Sequence, residues 1–125
     1  MNTLLAKVLK EAKRHADADP SALVEVYTVP EQRCVWISDS HRQILGFDPE
    51  ELVGIHWKDI VDPKDHAHKD IMLNDALLTG GSMEIGFSLI AKSGRRIDVK
   101  VIDTLFEDAE AEHSYVICRT TQIGK

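Results

Sequence analysis

His66, His68 and Asp70 stand in the order H-x-H-x-D within His66-Ala67-His68-Lys69-Asp70. Two imidazoles and a carboxylate at that spacing form a metallo-hydrolase ligand string, suited to holding a cation that activates water. Such a string needs a loop after a buried strand and further ligands downstream. Here a helix start, Asp62-Pro63-Lys64-Asp65, precedes it, and His113 is the only later histidine. A solvated first helical turn is the plainer reading, and bound zinc in the purified protein would favour the metal.

The other reactive side chains are few. Cys34 and Cys118 both fall on expected strands, where free cysteines usually serve as small buried hydrophobes, and two thiols make no disulfide framework. Asp103 falls on the apolar parity set by Ile97, Val99 and Val101. Either it points inward and fixes a ligand's orientation, or a bulge near Ile102 turns it outward. The bulge is the expectation.

These groups need elements to position them. The chain has 125 residues, 43% hydrophobic and 29% charged, with a formal net charge of −6, which fits one domain with one core. An acidic chain without a basic stripe is a poor candidate for nucleic acid or an anionic membrane. No apolar run approaches a membrane span, and Lys7, Lys10 and Glu11 interrupt any signal-peptide core. A cytoplasmic protein is the natural reading.

Residues 2–16 read as an amphipathic helix with Leu4, Leu5, Val8 and Leu9 on its apolar stripe. That stripe serves either to cover a sheet face or to pair with a second copy, and a homodimer is expected. Residues 22–28 and 33–38 read as strands, plausibly a hairpin. Between 35 and 65 lie three helix starts. Ser40 with Gln43 forms a capping-box pattern ended by Gly46. Asp48-Pro49-Glu50-Glu51 starts a second helix, ended by Gly54. Asp62-Pro63 starts a third, running from about Pro63 to Thr79 and ended by Gly80-Gly81. Ile71 and Leu78 on one side of it, and Leu73 and Leu77 on another, suggest burial over a wide arc. Residues 82–91 and 96–106 alternate as two strands around the turn Lys92-Ser93-Gly94-Arg95. His113 to Thr121 has no polar face, as a central strand covered on both sides would not. Segregated strands and helices with hairpin links describe an antiparallel sheet with helices on one face, an α+β domain.

Several stretches in this order resemble the PAS sensory domain family over roughly residues 22–123. They are Val35-Trp36-Ile37-Ser38, Ile44-Leu45-Gly46-Phe47, Pro49-Glu50-Glu51-Leu52-Val53-Gly54, Ile60-Val61-Asp62-Pro63-Lys64-Asp65, Thr79-Gly80-Gly81, Ala91-Lys92-Ser93-Gly94-Arg95 and Cys118-Arg119-Thr120-Thr121. The resemblance implies a PAS fold: a five-stranded antiparallel sheet in order 2-1-5-4-3, helices over one face, and a cavity between them for a small ligand. Residues 1–19 would be a flanking helix and 20–125 the sensor domain.

The resemblance also implies an input module of a bacterial signalling protein, such as a sensor histidine kinase, a cyclic-dinucleotide enzyme or a transcription regulator, and not an enzyme itself. No effector motif is present, so an output domain would be attached or separate. Trp36, Trp57, Ile71, Met83, Ile85, Phe87, Val99, Val101 and Asp103 are the candidate pocket set, against the alternative that they only fill a packed core. In that case the chain is a ligand-free dimerisation scaffold. Haem-binding relatives use a histidine on the long helix, which points to His66 or His68, although residues two apart face different ways. Flavin-cysteinyl photochemistry needs a thiol in Ile55-His56-Trp57-Lys58-Asp59-Ile60, which has none. Glu50 or Glu51 is expected to pair with Lys92.

Overall fold

The structure, a computed structural model, describes residues 3–79, 82–111 and 113–123, and among these the side chains of 76–79, 82 and 83 are not described. The expected stop at Gly80-Gly81 lies outside the described residues.

Helix α1 spans Thr3–Ala18. Strands β1 (Leu23–Val29) and β2 (Cys34–Ile37) follow, then helices α2 (Ser40–Ile44) and α3 (Pro49–Leu52). Two 3₁₀ turns, Trp57–Asp59 and Pro63–Asp65, lead into α4 (His66–Thr79). Strands β3 (Ser82–Ile90), β4 (Arg96–Phe106) and β5 (Ser114–Gln122) complete the chain. The sheet is antiparallel in order β2-β1-β5-β4-β3, the order that the family resemblance implies. Among the described residues no helix is long and apolar enough to cross a membrane.

Both sheet edges are covered by the segments that carry the short helices. Cys34 N–H donates to the Ile55 carbonyl and Gly54 N–H to the Cys34 carbonyl, closing the β2 edge. On the far edge, Asp62 N–H donates to the Ser88 carbonyl and Ile90 N–H to the Ile60 carbonyl. Unpaired edge groups would otherwise invite another chain. Gly46 (φ 79°) and Gly54 (φ 92°) take left-handed backbone where α2 and α3 end.

The sheet separates two apolar clusters. On the helix side lie Leu23, Tyr27, Ile37, Trp57, Ile85, Phe87, Val99 and Val101. On the outer side Leu4, Val8 and Ala12 of α1 pack on Ala22, Val24, Val26, Tyr115 and Ile117, with Leu5, Leu9 and Trp36 half-buried around them. Helix α1 therefore covers its own sheet, and each fully buried Leu or Val contributes about 1.5–3 kcal/mol. Strand β5 buries four successive residues, Tyr115 to Cys118, as a central strand covered twice should.

Three expectations need correction. Ser40 does not cap α2: its hydroxyl donates to the Ala22 carbonyl at 2.7 Å, tying the helix to β1. Ile71 is 62% exposed. Among the described side chains of α4, Lys69 and Leu73, four residues apart and thus on one face, are the buried ones, and Ile71 stands opposite them; the side chains of Leu77 and Leu78 lie outside those described. No bulge turns Asp103 outward, because β3 and β4 stay in register from Ser82↔Thr104 to Ile90↔Arg96. Asp103 keeps the inward parity and is buried. The irregularity lies instead between β1 and β2, where Val26 faces Trp36 and Tyr27 faces Cys34.

Candidate functional site

Between the sheet and the segments 57–61 and 66–73 is a cavity of about 30 Å³, lined by residues that include Tyr27, Trp57, Lys69, Phe87, Val101 and Asp103. Its walls are mainly apolar, yet Glu25, Lys69, Asp103 and Thr120 face it and are each buried. Charged groups are rarely buried without partners, so each needs an accounting.

Lys69 reaches inward from the first turns of α4. Its Nζ lies 4.7 Å from the centre of the Phe87 ring and 5.1 Å from that of Trp57, within cation–π range of both. It is 3.7 Å from Asp103 Oδ2. That distance supports Coulomb attraction but exceeds a hydrogen bond. Both Asp103 carboxylate oxygens are buried and lack a hydrogen-bond partner. Trp57 is fixed by its indole N–H, which donates to Gln32 Oε1. Strand β4 places Asp103 here by continuing the alternation of Ile97, Val99 and Val101.

Glu25 faces the cavity from β1, and His41, fully buried in α2, meets it: Nε2 is 2.8 Å from Oε2. The other ring nitrogen, Nδ1, lies 3.0 Å from the Ser38 carbonyl. The surrounding hydroxyls fix the protons. Ser40 Oγ–H donates to the Ala22 carbonyl, so Ser40 Oγ accepts from Ser38 Oγ at 2.7 Å. The Ser38 proton is then spent, and Nδ1 must carry its own proton for the Ser38 carbonyl. Nε2 is then left to the Glu25 carboxyl.

Tyr27 and Cys118 line the cavity and Cys34 lies in the same core. Burial raises the Tyr27 phenol well above its ordinary range, with the Glu25 charge adding to it. The Tyr27 hydroxyl has no well-formed hydrogen bond. Burial also raises the Cys118 thiol, with Asp103 next in effect, and the Cys34 thiol, with Glu25 next.

The candidate pocket set is brought together only in part. Trp57, Phe87, Val101 and Asp103 line the cavity. Ile85 and Val99 are buried in the same core but do not line it. Trp36 does not: the irregular β1–β2 pairing turns it to the outer face, beside α1. Ile71 is at the surface, and the Met83 side chain lies outside those described. Glu25, Tyr27, His41 and Lys69 were not in the set. The sequence signal for Glu25 and Tyr27 was their shared parity with Leu23; Lys69 and His41 look like ordinary surface helix residues.

The histidines of α4 do not converge. His66 Nε2 contacts the Val61 carbonyl at 2.8 Å and its ring meets the edge of Trp57. His68 is exposed, and Asp70 pairs with Lys58 at 3.0 Å. Among the described residues no cluster of His, Cys, Asp or Glu could hold a metal ion. Neither His66 nor His68 lines the cavity. On the surface, Lys92 Nζ meets Glu51 Oε1 at 2.7 Å, tying α3 to the β3–β4 hairpin as expected.

Comparison with known proteins agrees with this fold. The PAS domain family model matches residues 20–120. No curated protein matches the chain in sequence. A PAS domain from Colwellia psychrerythraea superposes with a TM-score of 0.78 at 13% identity, covering 93% of this chain and 97% of that one. A PAS domain from a two-component sensor histidine kinase gives 0.71 at 14%, with 94% and 99% covered. The PAS-B domain of Drosophila melanogaster Cycle with bound ethylene glycol gives 0.74 at 14%, with 81% and 99% covered. At these identities the likeness is one of fold.

Proposed function

Because this chain belongs to the PAS domain family, we propose that it is the sensory input module of a signalling protein and that its signal is a small molecule held between α4 and the sheet. One observation carries this reading. The cavity is lined by Asp103, whose two buried oxygens lack a well-formed hydrogen bond although the Lys69 ammonium and the Cys118 thiol are near, where a purely structural core would bury apolar groups. A buried carboxylate without a well-formed hydrogen bond costs free energy, which a ligand with donors would recover.

Binding would change how Lys69 and Asp103 are held, and so how α4 packs on β3 and β4. A ligand shifts such an equilibrium only by its differential affinity for the two arrangements. The sheet would pass the change to α1. The histidine-kinase neighbour supports an output of that kind, attached or separate.

The second reading is a dimerisation scaffold without a ligand. What favours it is the small cavity, about 30 Å³. In that reading Leu5 and Leu9, half-buried at the edge of the outer cluster, would supply the contact, since Leu4 and Val8 are spent on the chain's own sheet. Native mass spectrometry and light scattering of the purified chain separate the two. An added mass, lost on Asp103→Leu substitution, supports the sensor. A clean dimer that carries nothing, and whose cavity amides respond to no compound, sinks it.

A further inference from the structure

The charges around the cavity specify what kind of molecule it takes. This inference rests on the sensory reading above and adds the ligand's chemical class. Two ion pairs border the cavity, and each is closed on itself. Glu25 Oε2 lies 2.8 Å from Nε2 of His41, whose second ring nitrogen is committed to the Ser38 carbonyl. Lys69 faces Asp103 at 3.7 Å and is flanked by the Trp57 and Phe87 rings. Burial keeps the Tyr27 phenol and the Cys118 thiol protonated. Among the described residues the acids and bases at the cavity are thus matched one to one, Glu25 with His41 and Lys69 with Asp103.

An ion of either sign entering such a site would surrender its hydration and meet no free countercharge. An uncharged ligand has no such penalty. What the site lacks is also specific. Asp103 needs donors, and Lys69 beside it presents a donor of its own. The gap between them is too long for a direct hydrogen bond and is bridged naturally by two adjacent oxygens, one donating to Asp103 and its neighbour accepting from Lys69. At about 30 Å³ the cavity has room for roughly two waters, so the fitting ligand is one of a few heavy atoms that displaces them. We propose that this cavity selects small uncharged vicinal diols over small anions and cations, through paired contacts to Lys69 and Asp103.

The test is a titration followed by ¹H–¹⁵N correlation spectra of the full chain, with ethylene glycol, sodium acetate and methylammonium chloride as probes at matched ionic strength. The diol is expected to shift the amides of Tyr27, Asp103 and Thr120 along a saturable curve. The two ions should not. Asp103→Asn and Lys69→Met should each weaken diol binding by about tenfold, the loss of one hydrogen bond to a charged group. The double variant, which removes both buried charges and keeps similar volumes, guards against single variants that fail to fold: dispersed spectra without diol binding support the proposal. Acetate or methylammonium binding at these amides more tightly than the diol overturns it. So does diol binding unchanged in the folded double variant, and so does the absence of any diol response. A charged compound found in the purified chain at this cavity would leave the sensory reading standing while removing this one. An empty cavity that answers to none of the probes, nor to any other compound, removes both.

Discussion

His41 and Glu25 meet at 2.8 Å with the histidine fully buried, joining the first short helix after the strand pair to the middle of β1. Removing one partner leaves the other buried and uncompensated. His41→Ala should therefore cost about 3–5 kcal/mol, whereas His41→Leu combined with Glu25→Leu should recover much of that loss. Urea unfolding of the three proteins measures it. A single variant as stable as the parent would show that the pair does not hold α2 to the sheet.

The outer cluster gives a second prediction. Val8, on the inner face of α1, is wholly buried against the sheet face that carries Val24, Val26 and Ile117. Val8→Ala should cost about 2 kcal/mol through lost burial and a cavity that cannot fully close. Leu9→Ala, at a half-buried position, should cost visibly less. Equal losses in thermal unfolding would mean that α1 does not seat on the sheet by the Leu4–Val8–Ala12 stripe.

A third concerns acid. The Lys64 backbone N–H, donating at 3.1 Å, and then the Arg96 guanidinium hold the Asp62 carboxyl below its ordinary value of 3.8. A depressed carboxylate stabilises the fold at pH above the unfolded value, and the contribution fades as pH falls through the folded one. The stability gap between the parent and Asp62→Asn should thus be constant from pH 7 to about pH 5 and close below pH 3.8. A gap that widens in acid would contradict the assignment.

The thiols give a fourth. Cys34 and Cys118 are both buried and free, and burial raises both above their ordinary range. Because the thiolate is the reactive form, a chromogenic disulfide reagent should label neither in the native protein at pH 8 within minutes. Both should react at once in denaturant. Fast native labelling would show that the core opens readily.

The architecture was legible because it rests on punctuation and period. Pro49 and Pro63 after Asp48 and Asp62, Gly46 and Gly54 at helix ends, and the alternation from Ile97 to Val101 all act locally, so each can be read from neighbouring residues. The site was legible only where it followed those periods. Phe87 and Val101 were found by alternation, and Asp103 by the same count, although the expected bulge pointed it the wrong way. Trp36 was misplaced because the irregular pairing opposite Val26 and Tyr27 is invisible from one strand. Lys69, His41 and Glu25 were missed because a buried charge is identified by its partner. Those partners lie 34 residues away for Lys69 and Asp103, and 16 for Glu25 and His41.

Strand β1 alternates between two neighbourhoods: Glu25 and Tyr27 border the cavity, while Val24 and Val26 lie under α1. Adjacent residues thus belong to the chamber and to the terminal helix at once. A displacement of that backbone needs no long relay through the molecule, since what disturbs Glu25 is one peptide unit from what α1 rests upon.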